Sequence, residues 1–153
     1  MNIIITGGAG FIGSHLCERF LQIGHKVICL DNFLTGQPGN LLQAKKFKND
    51  FVFIRGDVND RSLLNSTFRR YNVDLVFHLA AVVGVKRTQE KPFLVLEDIN
   101  GIKNILALSY KYKIKKLIYA SSSEVYGNPL KLPSCEDGEI NPNLTYAAVK
   151  LIG

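Results

Sequence analysis

The sequence predicts an α/β protein built on a doubly wound, parallel β-sheet. Three observations carry this expectation. Five short apolar runs recur along the 153 residues, and they are apolar throughout rather than alternating, as strands covered on both faces are. Segments with apolar residues at helical spacing separate them. Right-handed crossovers between parallel strands then wind the chain to both sides of a central strand.

The first run, Asn2 to Thr6, is a β-branched strand. Ile12, Leu16, Phe20 and Ile23 recur at helical spacing, and Gly24 closes that helix. Val27 to Leu30 reads as the second strand, ending at Asp31. Residues Asn32 to Asn40 hold two glycines and a proline and read as loop, followed by a short helix over Leu41 to Phe47. Phe51 to Ile54 is the third strand. Asp60 is placed to cap a helix running through Tyr71, with Leu63, Leu64 and Phe68 on one face. Leu75 to His78 is the fourth strand. A long helix is expected from Pro92 to Tyr112, where proline suits the first turn. Leu117 to Ala120 is the fifth strand, Asn128 to Asn143 a proline-containing loop, and a last helix begins near Leu144 or Thr145.

Bulk properties bound the function. The chain is 46% apolar and 21% charged, as soluble domains are. No apolar run reaches the roughly 18 residues of a membrane helix. Lys and Arg number 19 against 13 Asp and Glu, but the clusters at Lys45, Lys46, Lys48 and at Lys111, Lys113, Lys115, Lys116 hold no groove-reading element. They read as solvated helix ends and turns, so no nucleic-acid or membrane partner is expected, while an anionic small molecule remains compatible. Cys17, Cys29 and Cys135 show neither metal spacing nor a disulfide framework. No metal is expected. Cys17 and Cys29 read as buried thiols, and a cytoplasmic setting fits reduced cysteines and a Met1 that runs straight into a strand.

The first strand leads into Thr6-Gly7-Gly8-Ala9-Gly10-Phe11-Ile12-Gly13. Gly8, Gly10 and Gly13 match GxGxxG, and Gly7, Gly10 and Gly13 match GxxGxxG. Strand before, helix after, and Asp31 closing the next strand make the dinucleotide-binding fingerprint of a Rossmann-type sheet. Glycines let the backbone approach a pyrophosphate, and the amides opening the helix at Phe11 and Ile12 meet it with a positive dipole end. Asp31, with Asn32 beside it, can accept from both ribose hydroxyls of NAD. It would repel the 2′-phosphate of NADP, and no arginine neighbours it in sequence, so NAD is the expected cofactor. Asp57 and Val58 follow the third strand, where the adenine would lie. Leu79, Ala80 and Ala81 follow the fourth, near the middle of the dinucleotide. His78, just before them, reads as a hydrogen-bonded strand-end histidine rather than a catalyst.

Tyr146 and Lys150 stand one helical turn apart on one face. A phenol is a poor base at neutral pH, and a cation held nearby favours its ionised form. Ser122, leaving the fifth strand within Ser121-Ser122-Ser123-Glu124, can hydrogen-bond the oxygen whose proton the tyrosine takes. Each signal is weak alone; the three together, after a glycine cradle, form a candidate reaction centre.

On these motifs, with Gly56-Asp57-Val58, His78-Leu79-Ala80-Ala81 and Ser121 to Gly127, the whole chain resembles the extended short-chain dehydrogenase/reductase superfamily. Within it the chain is similar to the NAD-dependent nucleotide-sugar epimerase/dehydratase family. The resemblance implies that Tyr146 removes the proton from a sugar C4 hydroxyl while hydride leaves C4, that Ser122 bonds that hydroxyl, and that Lys150 binds the nicotinamide ribose. Hydride return to the other face gives a nucleotide-sugar 4-epimerase. Loss of CO₂ (a UDP-glucuronate decarboxylase) or of water (a 4,6-dehydratase) is the alternative in the same family, and a non-catalytic NAD-binding module is an alternative of another class. Ser123-Glu124 lacks the Asp-Glu usual in dehydratases and is similar to decarboxylases, whereas His78 to Val85 is closer to epimerases. Asp98-Ile99-Asn100-Gly101 has an aspartate where most relatives carry asparagine. Family members are about double this length, so residues 1–153 are expected to be an incomplete NAD-binding domain, cut in the helix after the fifth strand. With the C-terminal substrate domain absent, little turnover is expected from the chain alone. Homodimerisation is implied for the full-length parent rather than for this chain.

Overall fold

The computed structural model describes residues 1–129 and 132–153. Five parallel strands form one sheet: β1 (Asn2–Thr6), β2 (Lys26–Asp31), β3 (Phe51–Arg55), β4 (Leu75–His78) and β5 (Lys116–Tyr119), in the spatial order β3-β2-β1-β4-β5. The chain winds outward from β1 to β3, then crosses back to place β4 on the other side of β1. The crevice between β1 and β4, where winding direction reverses, is where such sheets take ligands.

Side chains of β1 and β2 divide between the two faces by the two-residue period of a strand. Ile3, Ile5, Val27 and Cys29 face α1 (Phe11–Gln22) with Cys17 and Leu21. Ile4, Ile28 and Leu30 face the opposite layer, where Leu64 and Phe68 of α2 (Arg61–Tyr71) meet Ile105 and Leu108 of α5 (Asp98–Lys111). Both faces are therefore dry, which explains why the strands read as unbroken apolar runs. Phe68 is 1% exposed and stacks obliquely 5.9 Å from the Tyr112 ring. Phe68→Ala is expected to cost about 3–5 kcal/mol, measured by urea unfolding. Asp60 caps α2 as expected, accepting from the Leu63 amide at 2.9 Å, and Asn72 ends it in the left-handed region at φ 44°.

Two expectations need correction, and one helix was not foreseen. The short helix at Leu41 to Phe47 is instead two 3₁₀ turns, Pro38–Leu41 and Ala44–Lys46, each anchored by one buried side chain, Leu41 or Ala44. The long helix is two, α4 (Pro92–Leu96) and α5. Glu97 keeps helical dihedrals, but the hydrogen-bond ladder tightens there to an Asn100 N–H to Glu97 O bond. A further helix, α3 (Val85–Glu90), begins after Gly84 at φ 104°. It buries no residue, so it has no apolar stripe to announce it.

The loop expected at Asn128 to Asn143 holds no helix or strand among its described residues, and its positions 130 and 131 lie outside them. Helix α6 (Thr145–Ile152) follows and packs with α4, α5 and the 3₁₀ turn Ser123–Tyr126 through a third apolar cluster of Val82, Val95, Ile102 and Val149. Among the described residues no helix is long and apolar enough to cross a membrane.

Candidate functional site

β1 delivers the chain into a turn that only glycine satisfies. Gly7 sits at φ 69°, and a Cβ there would stand 2.7 Å from the Ala80 amide nitrogen. A Cβ on Gly13 would overlap the Gly7 carbonyl oxygen. The backbone is thus folded on itself, with Gly10 as the N-cap of α1 and no side chain capping the helix. No acid lies in the first turn of α1, so its free amides and positive end are left for an anion. Phe11 and Ile12 at that end are exposed.

This turn is one wall of a cleft of about 320 Å³. The cleft gathers Gly7, Gly10, Phe11, Ile12, Gly13, Asp31, Asn32, Asp57, Val58, Leu79, Ala80 and Ala81 of the residues nominated for a dinucleotide, while Tyr146 and Lys150, nominated with them, are not on its lining. Asp31 is buried and already holds two amides: Oδ2 accepts from Ala9 at 2.9 Å and Oδ1 from Phe33 at 2.7 Å. It clasps the glycine turn to β2, and each oxygen keeps a further lone pair for a ribose hydroxyl. Asn32 is aimed by its bond to Asp57 Oδ2, at 2.9 Å, whose Oδ1 accepts from the Asn59 amide. The absence of an arginine beside Asp31 holds only along the chain. Strand pairing sets Arg55 opposite Asp31, with its guanidinium 5.8 Å from the Phe33 ring. Sequence separation hid a neighbour that sheet register creates. The donors and acceptors of the cleft fit a dinucleotide: free helix amides for the pyrophosphate, a carboxylate for the ribose, and a backbone too tight for side chains.

His78 is a joint in the cleft floor. It is 2% exposed, and its Nδ1 lies 2.7 Å from Thr6 Oγ1, which also accepts from the Ala80 amide at 3.3 Å. The hydroxyl and the ring nitrogen share one proton across this contact. Burial first, then the charge of Lys150, pushes the imidazole down to about 4. Thr6 and His78 are register partners across β1 and β4. Two polar residues ending adjacent buried strands were the signal for this pair.

The nominated reaction centre lies where β5, the 3₁₀ turn and α6 meet, beside the cleft rather than on its wall. Ser122 precedes the turn and accepts from the Glu124 amide at 3.3 Å, while Ser121 donates to the Lys150 carbonyl at 3.2 Å. Ser122 therefore keeps its hydroxyl proton free of the bonds that tie its neighbour. Glu124 is exposed. Tyr146 is half-buried, and Lys150 lies almost wholly beneath the surface. The Lys150 Nζ donates to Ala120 O at 2.7 Å and lies 5.8 Å from the Tyr146 ring centre and 5.1 Å from that of Tyr119. Burial pushes the ammonium down from its ordinary range, and the charge of Asp98 pushes it back up. Tyr119, which the sequence did not single out, is pushed up to about 12 by burial, then by Asp98 and Tyr146. As the last residue of an edge strand it carried no motif to mark it.

The family model described as the NAD dependent epimerase/dehydratase family matches residues 3–153. A UDP-glucose 4-epimerase of Mycolicibacterium smegmatis is 35% identical over 100% of this chain and 49% of its own length. A UDP-N-acetyl-alpha-D-glucosaminuronate decarboxylase of Bacillus cytotoxicus is 42% identical over 81% of this chain and 37% of its own. Among solved structures, the UDP-glucose 4-epimerase of Bifidobacterium longum in complex with NAD⁺ and UDP superposes with a TM-score of 0.92 at 30% identity, covering 99% of this chain and 46% of that one. The chain spans between 37% and 49% of the length of these two curated relatives.

Proposed function

The chain belongs to the NAD dependent epimerase/dehydratase family, and we propose that it is the cofactor-binding and proton-transfer part of a nucleotide-sugar 4-epimerase acting on a UDP-sugar. The observation that carries the reading is the placement of the buried Lys150, flanked by Tyr146, beside a cleft whose glycine turn and Asp31 fit NAD. Bound NAD supplies the acceptor that takes hydride from C4 of the sugar and returns it.

The chain's own residues do the rest. The Gly7 to Gly13 turn holds the pyrophosphate with backbone amides, and Asp31 accepts from the adenosine ribose. Lys150, with donors to spare beyond Ala120, holds the nicotinamide ribose and places a positive charge beside the phenol. Tyr146 takes the proton from the C4 hydroxyl and gives it back. Ser122 bonds that same oxygen and fixes its approach.

The reading is tested by titrating NAD into the 153-residue chain in a calorimeter. Binding is expected, and Asp31→Ala should weaken it at least about tenfold, the loss of one charge-assisted contact and of the Ala9 clasp. No heat of binding from a folded sample sinks the assignment. For the chemistry, the protein is extended to the length of its relatives, because little turnover is expected from residues 1–153 alone; there, reduced-nicotinamide absorbance on adding UDP-glucose or UDP-galactose should be lost in Tyr146→Phe. A non-catalytic module would show no such absorbance in either form.

Glu124, one residue beyond Ser123 at the turn, and the 42% identity to the Bacillus cytotoxicus decarboxylase favour a second reading, loss of CO₂ from a UDP-uronate. In the extended protein, release of CO₂ from UDP-glucuronate, or exchange between UDP-glucose and UDP-galactose, separates the two.

A further inference from the structure

The cleft wall that follows β3 is a turn gripped from behind. Asp57, Val58 and Asn59 line the cleft there, and the turn closes with the Asp60 amide donating to the Asp57 carbonyl at 3.1 Å. Asn104 of α5 reaches the same turn. Its Nδ2 donates to the carbonyls of Val58 and Asn59, each at 3.1 Å. Gly101 stands one helical turn earlier on that face, where a Cβ would come 2.6 Å from Val58 Cγ2. The absent side chain lets α5 approach closely enough for a residue as short as asparagine to make both bonds.

These bonds fall on shared peptide groups. The Val58 carbonyl and the Asn59 amide are one group: Asn104 holds its oxygen, and Asp57 Oδ1 accepts from its N–H at 2.8 Å. The next group is held alike, with Asn104 on the Asn59 oxygen and the Asp57 carbonyl on the Asp60 N–H. Rotating either peptide plane would break a bond at each end, and bonds aligned through one peptide strengthen each other. Asp57 Oδ2 accepts from Asn32 at 2.9 Å. Both carboxylate oxygens are thus aimed, and each keeps a further lone pair.

We propose that Asn104 is a positioning residue that, through the two peptide groups it holds, sets the Asp57 carboxylate to accept from the amino group of the cofactor's adenine. The inference rests on the NAD reading given above. A carboxylate can only accept, so it favours a purine with an amino group at C6 and disfavours one with an oxygen there. That preference lasts only while the carboxylate is held still. Asn104 acts on the turn and not on the base.

The test is calorimetric titration of the 153-residue chain with NAD and with nicotinamide hypoxanthine dinucleotide, in which oxygen replaces the purine amino group. The unsubstituted chain should prefer NAD by about tenfold, the size of one charge-assisted hydrogen bond. Asn104→Leu keeps the size of the side chain and removes both donors. It should weaken NAD by about fivefold or more and leave the hypoxanthine form within about twofold, so that the preference falls toward one. Asn104→Gln, with the donors on a longer stem, should recover part of it. A folded Asn104→Leu that retains the full preference overturns the proposal, whatever its stability, and leaves Asn104 a tie between α5 and the turn. Should Asn104→Leu not fold, the comparison passes to Asn104→Ser, and a retained preference there overturns the proposal equally. An unsubstituted chain that binds both dinucleotides alike removes the proposal and leaves the cofactor reading standing; one that binds neither removes the cofactor reading and the proposal with it.

Discussion

Gly13→Ala should lose detectable NAD binding and about 3 kcal/mol of folding stability, read by calorimetry and by urea unfolding on the same preparation. The methyl group would overlap the Gly7 carbonyl oxygen and stand 2.7 Å from the Gly8 Cα. Both are backbone atoms in a turn clasped by Asp31 through Ala9, so neither can move aside as a flexible side chain could. Relief has to come from opening the turn, which withdraws the amides meant for the pyrophosphate. Gly39→Ala is the matched control: no atom lies within 4 Å of its Cβ position, so stability should stay within about 0.5 kcal/mol and binding should be unchanged. A Gly13→Ala protein that binds NAD normally would mean that the cradle is not the cofactor site.

The second large effect is acid sensitivity centred on His78. In the folded chain the imidazole is depressed to about 4 from an ordinary value of 6.5. The unfolded chain therefore takes up a proton that the folded chain refuses. The stability this site contributes is complete above pH 6.5 and is lost as pH falls through the folded value near 4. The full loss is about 3 kcal/mol, from two to three pH units at 1.36 kcal/mol each. Urea unfolding at a series of pH values should display it, superimposed on the slope from carboxylates. His78→Asn, which can still bond Thr6, should flatten the part between pH 6.5 and 4. If the two proteins share one pH profile, the neutral buried state assigned to His78 is wrong.

What the sequence made legible followed from local rules. Strand cores, the Asp60 cap, and the run from Thr6 to Gly13 each carry their geometry in neighbouring residues. The cleft lining was legible for the same reason, because strand C-termini in a parallel sheet gather on one edge and their positions could be read one at a time. What escaped depends on contacts between distant elements. α3 buries nothing, so no periodicity betrays it. The tightening at Glu97 splits a helix whose apolar spacing runs through it. Arg55 becomes the register partner of Asp31 only through strand pairing, and Thr6 meets His78 through the pairing of β1 with β4.

The clasp that Asp31 forms, set beside the ribose contact proposed for it, has a consequence for redesign. Cofactor preference is commonly treated as a modular property, altered by removing an acid at the end of the second strand and supplying a nearby cation. Here the cation is already in register, since Arg55 stands across the sheet from Asp31. The acid, however, is also the fastener of the turn, through its bonds to Ala9 and Phe33. Exchanging it for a small neutral residue would remove the proposed ribose contact and the clasp in one step. A route to NADP in this scaffold therefore starts with new support for the Ala9 and Phe33 amides, and only then turns to the phosphate.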